Sequence, residues 1–178
     1  MLQRTRAEQV APIYRTFVDR YPDYRTTLNE DPETIRELIS KLGLRWRARK
    51  VIELLYVLSE KDGLVPTTKE DLKKLPGVGE YIANAFLSFH CGTKAPITDA
   101  NAVRVWSRIL GFEKTPETHR KKWFYETCMR LTPDEDFKGF NYALLDFSKK
   151  LCKTKPICEE CPLQKVCIYR RARQRTFQ

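Results

Sequence analysis

The chain has 178 residues, a formal net charge of +10, 42% hydrophobic and 31% charged residues, and a mean hydropathy of −0.53. That is enough for one domain or two small lobes sharing a core, and too little apolar run-length for a membrane span. The N-terminus MLQRTRAEQV carries no apolar signal segment, so a reducing compartment is expected, in which clustered cysteines read as metal ligands before disulfides. The basic excess favours a polyanionic partner, of which nucleic acid is the commonest. Part of it is local: Arg45, Arg47, Arg49 and Lys50 fall together in RWRARK, and Arg170, Arg171, Arg173 and Arg175 crowd the tail. A solvated basic face is the plain alternative for each cluster, and charge alone does not choose among DNA, RNA and an acidic protein.

Helical periodicity runs nearly throughout. Val10, Ile13, Tyr14, Phe17 and Val18 recur at helical spacing, with Pro12 either bending that helix or opening it. Asp31-Pro32 reads as an N-cap followed by proline at the first helical position, and Gly43 closes the segment. Val51, Leu54, Leu55 and Leu58 give the next helix an apolar stripe that ends near Asp62-Gly63. Thr67 and Glu70 predict a capping box for a short helix through Leu75. Two helices follow over about 80–91 and 100–110, stopped by Gly92 and Gly111. Thr115-Pro116 starts another that reaches about Leu131, and a last long helix covers roughly 137–151. No alternating strand pattern, repeat or low-complexity segment stands out, so the fold class is all-α. Cys91 and Cys128 lie in helical patterns and read as buried thiols.

Two features carry chemistry. The first is Leu75-Pro76-Gly77-Val78-Gly79, between the short capped helix and helix 80–91. Two glycines two apart permit a tight turn with uncovered backbone N–H groups, and the next helix begins at the same place. Uncovered amides plus the positive end of a helix make an anion site. Helix, L-P-G-V-G, helix is the helix-hairpin-helix pattern, which grips a DNA backbone phosphate without reading sequence; an ordinary turn between packed helices is the alternative. The second feature is Cys152, Cys158, Cys161 and Cys167, spaced C-x5-C-x2-C-x5-C. Four soft thiolates this close select zinc or an iron–sulfur cluster. A zinc ribbon pairs two tight C-x2-C knuckles, whereas here there is one knuckle flanked by two longer loops. That spacing suits a bulky 4Fe-4S cluster better than a single tetrahedral ion, with zinc as the alternative and disulfides a distant third.

LPGVGEYIANA (75–85), ITDANAVRV (97–105), FNYALLDFS (140–148) and the four cysteines together resemble the helix-hairpin-helix DNA glycosylases with a C-terminal iron–sulfur cluster. That superfamily includes endonuclease III, the MutY adenine glycosylases and the archaeal Mig-type thymine/uracil mismatch glycosylases. The resemblance runs from residue 1 to about residue 170 and implies a helical glycosylase fold with a cluster loop and reduced N-terminal helices. It implies lobes of 22–135 and of 1–21 plus 136–178, the second carrying the cluster. The partner it implies is double-stranded DNA holding a mismatched or damaged base, bound by a monomer. It places the protein in a prokaryotic cytoplasm, nucleoid-associated, or in another DNA-containing reducing compartment.

Carried over residue by residue, the family's catalytic aspartate matches Asp99. From the residues alone Asp99 is first a helix N-cap, and the two roles are compatible. A carboxylate there can stabilise the oxocarbenium-like sugar of glycosidic cleavage or activate water. Bifunctional relatives place a nucleophilic lysine two residues after the last hairpin glycine, where this chain has Tyr81. Tyrosine forms no imine, so a monofunctional glycosylase is expected; plain core packing is the other reading of Tyr81. D-A-N at 99–101 and LLDFS at 144–148 are similar to the Mig-type enzymes, which favours thymine or uracil opposite guanine. Adenine opposite oxidised guanine and a non-catalytic DNA-binding module are the alternatives. Base flipping is cheapest at a mismatch. Gln3 or Arg4 and Leu44 are expected to fill the vacated space (Leu44 reads equally well as core). The backbone is expected to be held by Leu75, Gly77, Val78 and Gly79, with Arg45 and Arg47 on flanking phosphates. Two departures stand out: five residues separate Cys152 from Cys158, one fewer than the resemblance implies, and relatives carry a further segment before the point matching Met1, so that either the start is truncated or the enzyme is reduced, with an open pocket.

Overall fold

The structure is a computed structural model that describes residue 1, residues 5–43 and residues 45–175. Gln3, Arg4 and Leu44, the residues expected to fill the space left by a flipped base, lie outside the described residues. All regular structure among the described residues is helical. The chain divides into two compact units at the end of the hairpin, Met1–Gly79 and Glu80–Gln178.

The first unit holds α1 (Ala7–Arg20), α2 (Tyr24–Leu28), α3 (Pro32–Ser40), α4 (Arg45–Ser59) and α5 (Lys69–Leu72). Its core is Tyr21, Ile35, Ile39 and Ala48, with Phe17, Val51 and Ile52 packed against them. Pro12 lies inside α1 and does not open it. The Asp31 carboxylate accepts from Glu33 N, and Pro32 is the first helical residue of α3, as the Asp-Pro pair requires. The five-residue α2 is too short to show a period; Asp23 nucleates it by accepting from both the backbone N–H and the hydroxyl of Thr26, at 2.7 and 2.9 Å. The capping box of α5 sits one residue later than expected. Thr68 accepts from Asp71 N at 3.3 Å and donates its hydroxyl to the Asp71 carboxylate at 2.8 Å.

One expected phosphate contact is turned inward. Helix α4 extends back through RWRARK, and Arg47 falls one turn before Val51 on its packed stripe. It is 3% exposed. Its guanidinium donates to Met1 O at 2.6 Å and to Thr5 Oγ1 at 2.9 Å, which ties the start of the chain to α4. Arg47 is therefore a structural cation here, while Arg45 remains exposed.

The second unit holds α6 (Glu80–His90), α7 (Ala100–Leu110), a single 3-10 turn (Thr118–Arg120), α8 (Lys122–Leu131), α9 (Phe137–Lys150) and α10 (Ile168–Arg175). Ile97, Val103, Val105, Trp106, Phe124, Cys128 and Leu144 form its core, each such side chain contributing about 1.5–3 kcal/mol by leaving water. The helix expected from Thr115-Pro116 to Leu131 is broken. Thr115 N donates to Thr118 Oγ1 at 2.8 Å, closing a separate turn, and the chain is extended again at Lys121 before α8 begins. Helix α10 was not expected, because IYRRARQR has no apolar period to read. It packs on α7 through Ile168, which comes close to Gly111.

Gly111 has two reasons to be glycine. It ends α7 in the left-handed region at φ +77°, and a Cβ there would lie 2.9 Å from two Ile168 carbons. Gly111→Ala is expected to lower stability by about 2–4 kcal/mol, part from the left-handed backbone and part from overpacking. The urea midpoint of the variant measures it.

Candidate active site and cysteine cavity

The hairpin lies at the end of the first unit. Leu72 and Leu75 are 2% and 6% exposed and anchor it. Val78 N donates to Leu75 O at 3.1 Å, closing the turn. Gly77 takes φ +76°, and a Cβ on it would approach Lys50 Cβ at 3.2 Å, so the turn lies against α4. Gly79 has nothing within 4 Å of an added Cβ, and α6 begins at the next residue. Gly77 and Gly79 are exposed, and a helix start follows them directly in the chain.

Asp99 is delivered by a buried extended segment. Ala95, Ile97 and Thr98 are 2%, 1% and 3% exposed. Asn141 of α9, itself fully buried, donates its amide both to Ala95 O and to Ser88 Oγ of α6, each at 2.8 Å. One side chain from FNYALLDFS therefore fixes α6 and the approach to Asp99 together. At Asp99 the chain turns into α7. One carboxylate oxygen accepts from Ala102 N at 2.8 Å and the other from Asn101 Nδ2 at 2.7 Å. The cap role read from the sequence holds, and Asp99 remains partly exposed.

Tyr81 sits one residue into α6 and packs against the Ile97–Val105 core. Burial, and then the negative charge of Asp99, push its phenol up to about 12. The two residues are thus electrostatic neighbours, and the phenol is a neutral donor throughout the physiological range.

Asn101 continues outward from Asp99. Its Oδ1 accepts from Arg104 Nη1 at 2.9 Å. Arg104 Nε and Nη2 donate at 2.9 Å each to Cys152 O and Ser148 O. A continuous hydrogen-bond chain therefore runs from the carboxylate at one end of α7 to the first cysteine of the run. Nothing in the sequence pattern announced it.

Cys152, Cys158, Cys161 and Cys167 all line one pocket, together with Arg108 and Tyr169. Cys152 and Cys167 are 8% and 9% exposed. Among the described residues, no three His, Cys, Asp or Glu side chains are gathered closely enough to hold a single ion. The four thiols share the wall of this pocket, and Arg108 brings positive charge to it. Four soft donors on one pocket fit a 4Fe-4S cluster by their chemistry.

Cys128 is 2% exposed, and burial raises its thiol to about 12; Cys91 is half-buried. Both Cys128 and Tyr81 hold their protons more tightly folded than unfolded, where ordinary values are near 9 and 10. Their contribution is complete below about pH 9 and is lost as pH rises toward 12. The urea midpoint is expected to fall between pH 8 and pH 11, and Cys128→Ala to flatten the part of that fall that begins near pH 9.

A model of the helix-hairpin-helix motif matches residues 60–89. The chain is 41% identical over 177 residues to the thymine-DNA glycosylase of Aeropyrum pernix, covering 95% of this chain and 78% of that protein. It is 35% identical to the thymine/uracil-DNA glycosylase of Pyrobaculum aerophilum, covering 98% and 79%. A solved thermostable thymine-DNA glycosylase superposes with a TM-score of 0.87 at 33% identity, over 96% of this chain and 80% of that one. Similarity of this extent, in sequence and in backbone, makes the chain a member of the helix-hairpin-helix DNA glycosylases, hydrolases of the N-glycosyl bond.

Proposed function

We propose that this chain removes thymine or uracil mispaired with guanine from duplex DNA, as a monofunctional glycosylase acting as a monomer. The observation that carries the reading is Tyr81, a half-buried neutral phenol within the electrostatic influence of Asp99, at the position where a lyase would need an amine. The relatives named for thymine and uracil support the choice of base.

On this reading the hairpin amides of Gly77 and Gly79, on a turn closed by Val78 and anchored by Leu75, grip a backbone phosphate, and Arg45 serves a flanking one. Arg47 drops out of that set, its guanidinium being engaged internally. The mispaired nucleotide, already poorly stacked, swings out toward Asp99. As the glycosidic bond breaks, the base leaves with the bonding pair. The Asp99 carboxylate stabilises the positive charge left at C1′ and takes a proton from the attacking water. The departing base gains a proton and an abasic sugar remains. Tyr81 lines the pocket and donates its hydroxyl; it forms no covalent adduct. The cysteine residues 152, 158, 161 and 167 hold a 4Fe-4S cluster, which when bound cross-links the loop that carries them and has no part in bond cleavage. The lobes 22–135 and 1–21 with 136–178 belong to the same proposal.

Labelled duplexes carrying G·T, G·U or oxidised guanine·A, treated with alkali after incubation, test the reading. Breaks on G·T and G·U that appear only after alkali are the expected result. Cleavage of the adenine strand alone would make the chain an adenine glycosylase. Binding without any break would leave a DNA-binding module. Tyr81→Lys is expected to create a borohydride-trappable adduct with mismatched duplex, because an amine there would stand beside the reacting sugar.

A further inference from the structure

We propose that Arg108 is a positioning residue for the cluster: it fixes the shape of the first cysteine loop and raises the cluster's reduction potential. The inference rests on the cofactor reading above. Arg108 lies in the last turn of α7. Its Nη1 donates to Lys153 O at 2.7 Å and, more weakly, to Cys152 O at 3.4 Å, and its Nη2 donates to Thr154 O at 2.9 Å. Three consecutive carbonyls thus turn toward one cation. Their dipoles repel one another when aligned this way, so the curl needs a compact, multi-pronged positive donor. The guanidinium supplies that as a planar fork; an ammonium is a point charge and cannot span the three.

The same Nη1 lies 3.5 Å from Cys152 Sγ, and the main-chain oxygen of Arg108 lies 3.4 Å from Cys167 Sγ. One residue therefore meets the first and the last cysteine of the run. Tyr169, which also lines the cavity, covers the guanidinium at 5.0 Å from the ring centroid. The ring gives the guanidinium a cation–π contact that favours its place on the pocket wall. Reduction adds negative charge to the cluster, and a fixed cation with an N–H aimed at a ligand sulfur favours that state, so the potential rises. Arg104, one turn earlier on α7, shares Cys152 O but otherwise donates to Asn101 Oδ1 and Ser148 O, and among the described residues it reaches no sulfur.

The test uses holoprotein purified without oxygen, with iron per chain, the rate of iron loss to a chelator, the reduction potential, and circular dichroism as a check on folding. Arg108→Met is expected to lose iron about 10- to 100-fold faster than wild type, the usual penalty for removing an outer partner of a ligand, and to shift the potential to more negative values. Arg108→Lys keeps the charge and loses the fork. It should lose iron nearly as fast as the methionine variant, with a smaller shift in potential. A folded Arg108→Met protein with wild-type iron loss and wild-type potential overturns the inference. If that variant does not fold, Arg108→Lys and Tyr169→Leu decide, and wild-type rates of iron loss in both overturn it. A wild-type protein that carries no iron removes the cofactor reading itself, and this inference with it.

Discussion

Asp99→Asn should cut the single-turnover rate of base release by about 100- to 1,000-fold, the usual loss when one preorganised charge-stabilising group is removed from a transition state. The substitution is chosen because it leaves the fold alone. Asparagine caps a helix as well as aspartate does, so the bond to Ala102 N survives, and the side chain is the same size. What disappears is the negative charge opposite the developing cation at C1′ and the acceptor for the water proton. Affinity for mismatched duplex should stay the same or tighten slightly, since a negative charge is removed from beside a polyanion. Duplex cleavage read by alkali and binding read by gel shift separate the two effects. A variant that keeps a rate within tenfold of wild type would mean another group carries the charge, and the assignment of Asp99 would be lost.

The removal of that charge also predicts a change at Tyr81. Asp99 is the second cause of the raised phenol, after burial. In Asp99→Asn the phenol should therefore titrate at a lower pH than in wild type while staying above its ordinary value. Ultraviolet titration of the phenolate band measures this without any DNA.

What could be read from the residues was whatever is local. Asp99 before a helical period, Gly111 after it, the Asp31-Pro32 start and the LPGVG turn all act through neighbours within a few residues, and all stand where expected. The cysteine run was equally plain, because four thiols in one short segment have little else to do. What could not be read depends on partners distant in the chain. Arg47 sits in a run of cations that looks like one exposed face, yet only the three-dimensional position of Met1 and Thr5 decides that it turns inward. Asn141 looks like any polar residue of an amphipathic helix; its partners lie 53 and 46 residues away. Arg104 and Arg108, four apart on α7, look like ordinary polar residues of an amphipathic helix; most of their partners are backbone carbonyls, and no residue type signals those. Helix α10 is illegible for a related reason, since a surface helix of arginines meets α7 through Ile168 at Gly111 and Tyr169 at Arg108 and not through a period.

The second large effect is expected at Arg104. Replacing it with leucine removes one cation and takes the donor from Asn101 Oδ1 and Ser148 O, and leaves Cys152 O only its weaker bond from Arg108 Nη1 at 3.4 Å. Leaving part-buried acceptors unpaired should cost about 2–4 kcal/mol, visible as a lower urea midpoint. A purely structural loss would stop there, with the folded fraction reacting at the wild-type rate. The hydrogen-bond chain predicts more. Asn101 loses the donor that orients its amide, so its bond to the second carboxylate oxygen of Asp99 loosens, and the bond from Ala102 N is left to hold the carboxylate. Misplacing a reacting group by about 1 Å costs on the order of 100-fold in rate. We therefore expect the maximal single-turnover rate constant of folded Arg104→Leu to fall about 10- to 100-fold, while the DNA concentration giving half that rate barely moves, because the hairpin that grips the phosphate is untouched. Asn101→Leu separates the steps. It leaves Arg104 on Ser148 and Cys152, so stability and iron content should stay near wild type while the rate constant falls as in Arg104→Leu. If Asn101→Leu reacts at the wild-type rate, the chain of bonds supports the fold only, and Asp99 is held in place by its helix cap.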